Sequence, residues 1–436
     1  MFVKEVVPSF VKNSRGERSI QIVLKTYEGV FKCSAPSGKS TGKSEVASYN
    51  SKGIGRSMKM LKVFCPKLKE MNFIIKNINH LKLMTDLMRK FEVRHGRFGG
   101  NVNYAMEGVF LRAAAADNGK ELWEFINDDV NDGLRPKMPM PVGNCIGGGL
   151  HSKFIRGRRP DFQEFLLIPK EKTFSRAVTV NLKAYAYAKK LLGRGVGIRG
   201  TLANSKSKLA GASFFGVSGR NDEGAWRTGR TNEEVLEVLK VVAKKYKLRI
   251  GLDVAASSFY DNGYYMYKNK ELIRDKVDQA DYIERLIKKF GIFYVEDGMN
   301  QDDFSGFVEL MNSVDKSGVS SKQSAVISKP KTLIVGDDLT TTNLKRVRRA
   351  VEGGAINAMI VKPNQIGSIL EVKRVVEFCK RNNIVMIFSH RSGETMDDIL
   401  ADYCVGFGGQ FIKTGIFGRE RLIKLKSVMD IERGLR

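Results

Sequence analysis

The chain has 436 residues, a formal net charge of +27 at pH 7, 42% hydrophobic residues and 28% charged residues. That balance excludes intrinsic disorder, and the length asks for more than one small core. No apolar run reaches the roughly 18 residues of a spanning helix, and Glu5 and Pro8 interrupt the N-terminus where a secretory apolar segment would lie.

In chain order, residues 19–25 read as a strand, with Ile20, Ile22 and Leu24 alternating against Gln21, Val23 and Lys25. Residues 30–35 form its hairpin partner across Glu28-Gly29, and Pro36-Ser-Gly-Lys-Ser-Thr-Gly42 is a loop of small residues. Residues 103–118 read as a helix that Gly119 stops. From about Pro136 the texture changes. Strand-like runs at 249–254, 291–295, 332–335, 358–361, 384–388 and 409–412 alternate with amphipathic stretches such as 231–246. In that stretch Thr231 or Asn232 can cap, and Val235, Leu239 and Val242 share a face. So many βα units imply a parallel sheet with covered faces, in an α/β fold closed as a barrel with helices outside. An open doubly wound sheet is the competing architecture. The chain is thus expected to divide into an α+β unit, 1–135, and a β/α barrel, 136–436. The Ser- and Lys-rich segment 313–331 is read as a surface loop without function.

The five cysteines (Cys33, Cys65, Cys145, Cys379 and Cys404) are scattered and form no CxxC pair. They fit reduced thiols of a cytoplasmic protein better than a disulfide framework or a zinc site. Lysine and arginine run along the whole length rather than gathering in one stripe. The charge is therefore read first as a solvated surface, with only weak, sequence-independent nucleic-acid binding expected beside it. No membrane partner is expected.

Three of the strands end on acids: Asp253 after Arg249-Ile-Gly-Leu, Glu296 after Ile292-Phe-Tyr-Val, and Asp337 after Leu333-Ile-Val-Gly. In a parallel barrel all three converge on the C-terminal mouth. One such acid is an ordinary helix cap, but three crowded together need a cation. Hard oxygen donors with few histidines nearby favour magnesium over zinc. The following strands end on Lys362, on His390-Arg391-Ser392 and on Lys413. A mouth half acidic and half cationic suits an anionic substrate, and a lysine buried beside a metal is a candidate base.

Several blocks, in order, resemble the enolase family: Ser14-Arg-Gly16, Ser37-Gly-Lys-Ser-Thr-Gly42, Gly147-Gly-Gly-Leu-His151, Gln163-Glu-Phe165, Leu252-Asp-Val-Ala-Ala-Ser257 and Val295-Glu-Asp-Gly298. Gly336-Asp-Asp-Leu339, Lys362-Pro-Asn-Gln-Ile-Gly367, Ser389-His-Arg-Ser-Gly-Glu-Thr395 and Lys413-Thr-Gly415 continue the run. The resemblance implies an enolase-type barrel of mostly parallel strands with an N-terminal α+β capping domain. It implies a lyase interconverting 2-phosphoglycerate with phosphoenolpyruvate and water, and a homodimer or larger homo-oligomer. Asp253, Glu296 and Asp337 would hold one magnesium, and Ser40, on a mobile loop, a second that arrives with substrate. Lys362 would take the C2 proton, and Glu223, beside Glu164, would assist loss of the C3 hydroxyl. Lys413 would meet the substrate carboxylate, Arg391 and Ser392 the phosphate, and His390 and His151 would complete the polar wall.

Departures from the family pattern are a longer stretch between His151 and Glu164 containing three arginines, Ala225-Trp226 after Gly224, Pro363 after Lys362, and Ser48-Tyr-Asn-Ser-Lys52 past the Ser40 loop. The alternatives are another dehydratase or racemase of the same superfamily, and a basic binding protein on an enolase scaffold. The first would lack the Ser40 loop and the Arg391-Ser392 pair; the second would lack a metal ligand or the base.

Overall fold

The computed structural model describes residues 1–39, 42–155, 157–194, 217–269, 272–316 and 332–436. Near the N-terminus, β1 (Glu5–Lys12), β2 (Arg18–Lys25) and β3 (Val30–Ser34) form an antiparallel sheet in that order. The strand β1 escapes the sequence reading because Pro8 interrupts it and its alternation is shallow; it is an edge strand, where proline is tolerated. The helix Gly100–Asp117 begins earlier than expected and ends just before Gly119, whose φ of +66° suits a stop. It is buried along most of its length. At Gly108 a Cβ would lie 2.6 Å from Cys33 Sγ and 3.0 Å from Ile399 Cδ1, so glycine lets this helix touch the N-terminal sheet and a barrel helix at once.

The barrel has eight strands: β4 (Met140–Gly147), β5 (Glu164–Ile168), β6 (Arg249–Asp253), β7 (Ile292–Glu296), β8 (Leu333–Gly336), β9 (Ala358–Val361), β10 (Val385–Ser389) and β11 (Phe411–Lys413). Pairing of β11 with β4 closes the ring, so the open doubly wound sheet is excluded. All neighbours are parallel except that β5 runs against both β4 and β6. Sequence reading found β6 to β11 within a residue or two at either end and missed β4 and β5. The latter is a continuous buried run, Glu-Phe-Leu-Leu-Ile, with no helix before it to mark a βα unit.

Period-two alternation sorts the core into two layers. Ala358 and Ile360 face a compact interior cluster with Leu166, Tyr294, Val335 and Phe411, whereas Met359 and Val361 face the surrounding helices. The outer helix Asn232–Tyr246 carries the expected cap: Thr231 accepts from the Glu234 amide and Glu234 returns a bond to the Thr231 amide. Residues 313–316, expected in a loop, instead finish the helix Phe304–Lys316; the rest of 313–331 lies outside the described residues. No described helix is long and apolar enough to cross a membrane.

Candidate active site

One mouth of the barrel gathers the chemistry. Parallel β6 and β7 deliver Asp253 and Glu296 at their last residues, in register with each other. The reversed strand β5 delivers Glu164 at its first residue, paired with Asp253. Asp337 follows β8, and its amide and that of Asp338 donate to Asp297 Oδ1 and Oδ2 at 3.0 and 2.7 Å. Lys362 follows β9, where Pro363 opens a short helix at the position that needs no amide hydrogen. Ser389 ends β10 and precedes His390, Arg391 and Ser392; Lys413 ends β11. Backbone strain concentrates here: Ala255, Asp297, Thr341 and Thr342 all have φ between 44° and 53°. Thr342 Oγ1 receives the Lys362 amide at 2.9 Å, which fixes where that lysine leaves its strand.

The cations sit among the acids. Lys413 Nζ lies 2.7 Å from Glu296, 3.0 Å from Asp253 and 3.1 Å from Glu164. Lys362 Nζ contacts Asp337 Oδ2, whose other oxygen receives Gln365 Nε2 at 3.1 Å. Burial would lower Lys362, but Asp337 outweighs it and the ammonium is held above the ordinary lysine range. Burial and Asp253 push Glu296 up to about 8.

Across the mouth, Glu164 and Glu223 form a coupled pair. Burial, with Glu223 beside it, raises Glu164 well above the carboxylate range. Burial would raise Glu223 too, but His151 and a hydrogen bond from Glu164 hold it well below. The two carboxyls are thus pushed in opposite directions. His151 Nδ1 stands 3.2 Å from Glu223 Oε1, and Asn144 Nδ2 donates to Glu223 Oε2 at 3.1 Å.

The sequence-predicted residues Lys362, Glu223, Glu164, His390, His151, Arg391, Ser392, Lys413, Asp253 and Asp337 all line one cavity, with Glu296 just beneath against Lys413. Ser40 lies outside the described residues. The loop that carries it is docked on the mouth on both sides: Ser37 and Gly393 exchange backbone hydrogen bonds of 2.8 and 2.9 Å, and Glu45 meets Arg391 Nη2 at 2.9 Å.

Sequence reading assigned no role to Glu45, to Arg15, whose Nη1 donates to Ser392 Oγ at 2.6 Å, or to Arg421. Arg421 is completely buried, contacts His390 Nδ1, and donates to the carbonyls of Asp222 and Ser392 at 3.2 and 3.0 Å. Burial first and Arg421 second push His390 well below the ordinary imidazole range. A signal for Arg421 existed: with Lys424, it lies on the buried face of the helix Arg419–Gly434 that also carries Leu425 and Val428.

The donor set fits a hard divalent cation. Among the described residues it consists of buried carboxylates without sulfur, and Glu296 Oε1 is buried with no hydrogen-bond partner there. Among the described residues, ligand atoms of Asp297, Asp337 and Asp338 lie within 4.8 Å of one another, as do those of His151, Glu164 and Glu223. Asp297 accepts from two backbone amides, and Asp337 is likewise engaged, by Lys362 and Gln365.

A closed β/α barrel whose mouth sets buried carboxylates against strand-end lysines defines a carbon-acid enzyme that works with a divalent cation. Residues 135–436 match the family model described as enolase, C-terminal TIM barrel domain. Enolase of Thermoplasma acidophilum is 33% identical over 99% of this chain and 98% of its own length, and enolase of Picrophilus torridus 33% over 97% and 96%. Enolase of Pyrobaculum aerophilum is 32% identical over 97% and 94%. The chain belongs to the enolase family.

Proposed function

We propose that this mouth interconverts 2-phosphoglycerate with phosphoenolpyruvate and water in glycolysis and gluconeogenesis, Lys362 taking the C2 proton and the Glu164–Glu223 pair assisting loss of the C3 hydroxyl. The observation that carries the reading is the placement of base and acid. Lys362 follows β9 and Glu164 opens β5, four strands apart in a ring of eight, so they face each other across the mouth. A proton next to a carboxylate leaves from one face, and hydroxide departs from the other with help from a carboxyl acid there.

Asp253, Glu296 and Asp337 would hold magnesium, and Ser40 a second ion accompanying substrate. Bound there, magnesium would supply positive charge against the negative charge that builds on the substrate. Lys413 would face the substrate carboxylate. Arg391 and Ser392 would take the phosphate, with His390 and His151 lining the wall. Glu45 already engages Arg391, so the phosphate must compete with it.

The chain would divide into a capping unit, 1–135, and a catalytic barrel, 136–436, a division supported by the first barrel strand starting at Met140. Buried, unpaired cysteines support a cytoplasmic setting. A homodimer or larger homo-oligomer is proposed on the strength of the family resemblance, and weak nucleic-acid binding on that of the basic composition. The test is Lys362→Ala. Phosphoenolpyruvate formation should fall by roughly 10²–10⁴-fold with the circular dichroism unchanged; near-normal turnover would remove Lys362 as base.

A further inference from the structure

Strand β7 sends alternate side chains to opposite faces, so Tyr294 and Glu296 point to the same side, the barrel interior. Tyr294 is fully buried there, and its phenol O–H donates to Glu296 Oε2 at 2.5 Å. The same oxygen accepts from Lys413 Nζ at 2.7 Å. Glu296 Oε1, equally buried, has no hydrogen-bond partner among the described residues.

A ring at this level of the barrel needs room, and the neighbouring strand provides it. Gly251 is the register partner of both Tyr294 and Leu166. A Cβ at that position would lie 3.1 Å from Tyr294 Cβ, 3.2 Å from Leu166 Cβ and 3.3 Å from Ile168 Cδ1. Glycine at 251 thus accommodates the phenol beneath the carboxylate.

A buried carboxylate with one oxygen doubly hydrogen-bonded and the other bare is only half satisfied, and a bare buried acceptor is costly unless a cation meets it. We propose that Tyr294 is a positioning residue for the divalent cation: its hydroxyl fixes the Glu296 carboxylate so that Oε1 is presented as the ligand atom. The inference rests on Glu296 being a cation ligand. The phenol is suited to this because it is neutral. Lys413 also holds Oε2, but its charge repels an incoming cation, whereas a phenol orients the carboxylate without competing for the site. Hydrogen bonds of this outer kind commonly change metal affinity by about 10–100-fold.

The test titrates magnesium chloride into the full chain, stripped of metal by chelator, and reads the heat. Tyr294→Phe should raise the magnesium dissociation constant about tenfold. The magnesium concentration for half-maximal turnover should rise by the same factor, and the Michaelis constant for 2-phosphoglycerate at saturating magnesium should stay unchanged. A purely packing role would instead lower the melting midpoint of the metal-free chain and leave magnesium affinity alone, and that result overturns the inference. Glu296→Gln is measured alongside. Lost affinity in Glu296→Gln with wild-type affinity in Tyr294→Phe refutes the role of Tyr294 alone. Retained affinity in Glu296→Gln refutes Glu296 as a ligand, and the inference with it. Should Tyr294→Phe not fold, Tyr294→Leu, which also lacks the hydroxyl, is read by the same criteria.

Discussion

Arg421 ties together two loops that carry opposite ends of the site, and replacing it should damage both. Its guanidinium donates to the carbonyl of Asp222 at 3.2 Å and to those of Ser392 and Arg391 at 3.0 and 3.4 Å, and contacts His390 Nδ1. In Arg421→Met the Ser392 carbonyl keeps Ser14 Oγ at 3.3 Å, while those of Asp222 and Arg391 lose this donor. Two orphaned acceptors cost roughly 2–6 kcal/mol. Removing a buried guanidinium relieves several kcal/mol of desolvation, so the net loss should be at most about 3 kcal/mol. The kinetic loss should be larger in proportion. Asp222 adjoins Glu223 and Ser392 adjoins Arg391, and a displacement of about 1 Å at such groups costs about 100-fold. Arg421 is also the main charge that lowers His390, after burial. The Met variant should therefore gain an acid-side limb in its kcat–pH profile as His390 rises. Arg421→Lys keeps the charge and should lack that limb. Thermal melting, kcat, KM and the pH profile of both variants decide the matter. A kcat within twofold of wild type, with the same profile in both, would refute the clamp.

Burial pushes Glu107 up to about 7 from the ordinary carboxylate value of 4.5, although it accepts from the Ile369 amide at 2.5 Å. The folded chain then binds more protons than the unfolded one between those two values, so stability should fall as pH rises through that window, by about 3 kcal/mol from this group. Glu107→Gln should flatten the change in urea midpoint between pH 5 and pH 8, and parallel wild-type and variant curves would dismiss the idea. Replacing Arg156, Arg158 and Arg159 together by Ser should raise the Michaelis constant for 2-phosphoglycerate in a salt-dependent way, as for lost electrostatic steering. Arg159 also donates to the Ser152 carbonyl at 2.6 Å, so kcat should be followed too. Unaltered kinetics together with lost RNA retention at physiological salt would show that the loop serves a partner instead.

Strands whose apolar run ends abruptly on a charge were legible, because in a parallel barrel that pattern states both direction and destination. Asp253, Glu296, Lys362 and Lys413 were found this way. Glu164 obeys the opposite rule, since it opens a reversed strand, and only the family motif pointed to it. Contacts made by side chains far apart in sequence left no local trace: Glu45 reaches Arg391, and Arg15 reaches Ser392, across more than 300 residues. Tyr294 was hidden for another reason. An aromatic residue inside a strand reads as packing, and only the register with Gly251 and the bond to Glu296 give its hydroxyl a task.

The reversal of β5 has a consequence for how this mouth can vary. Where a βα unit would carry the chain to the far end of the barrel and back, β4 and β5 form a hairpin whose connection stays at the mouth, closed by the pairing of Gly147 with Glu164. Lengthening that connection costs only about 0.6 kcal/mol per doubling and shifts neither strand. His151 and Glu164 flank the connection, and the arginines lie between them. New residues can therefore enter beside the site while Glu164 at the hairpin's foot stays in register.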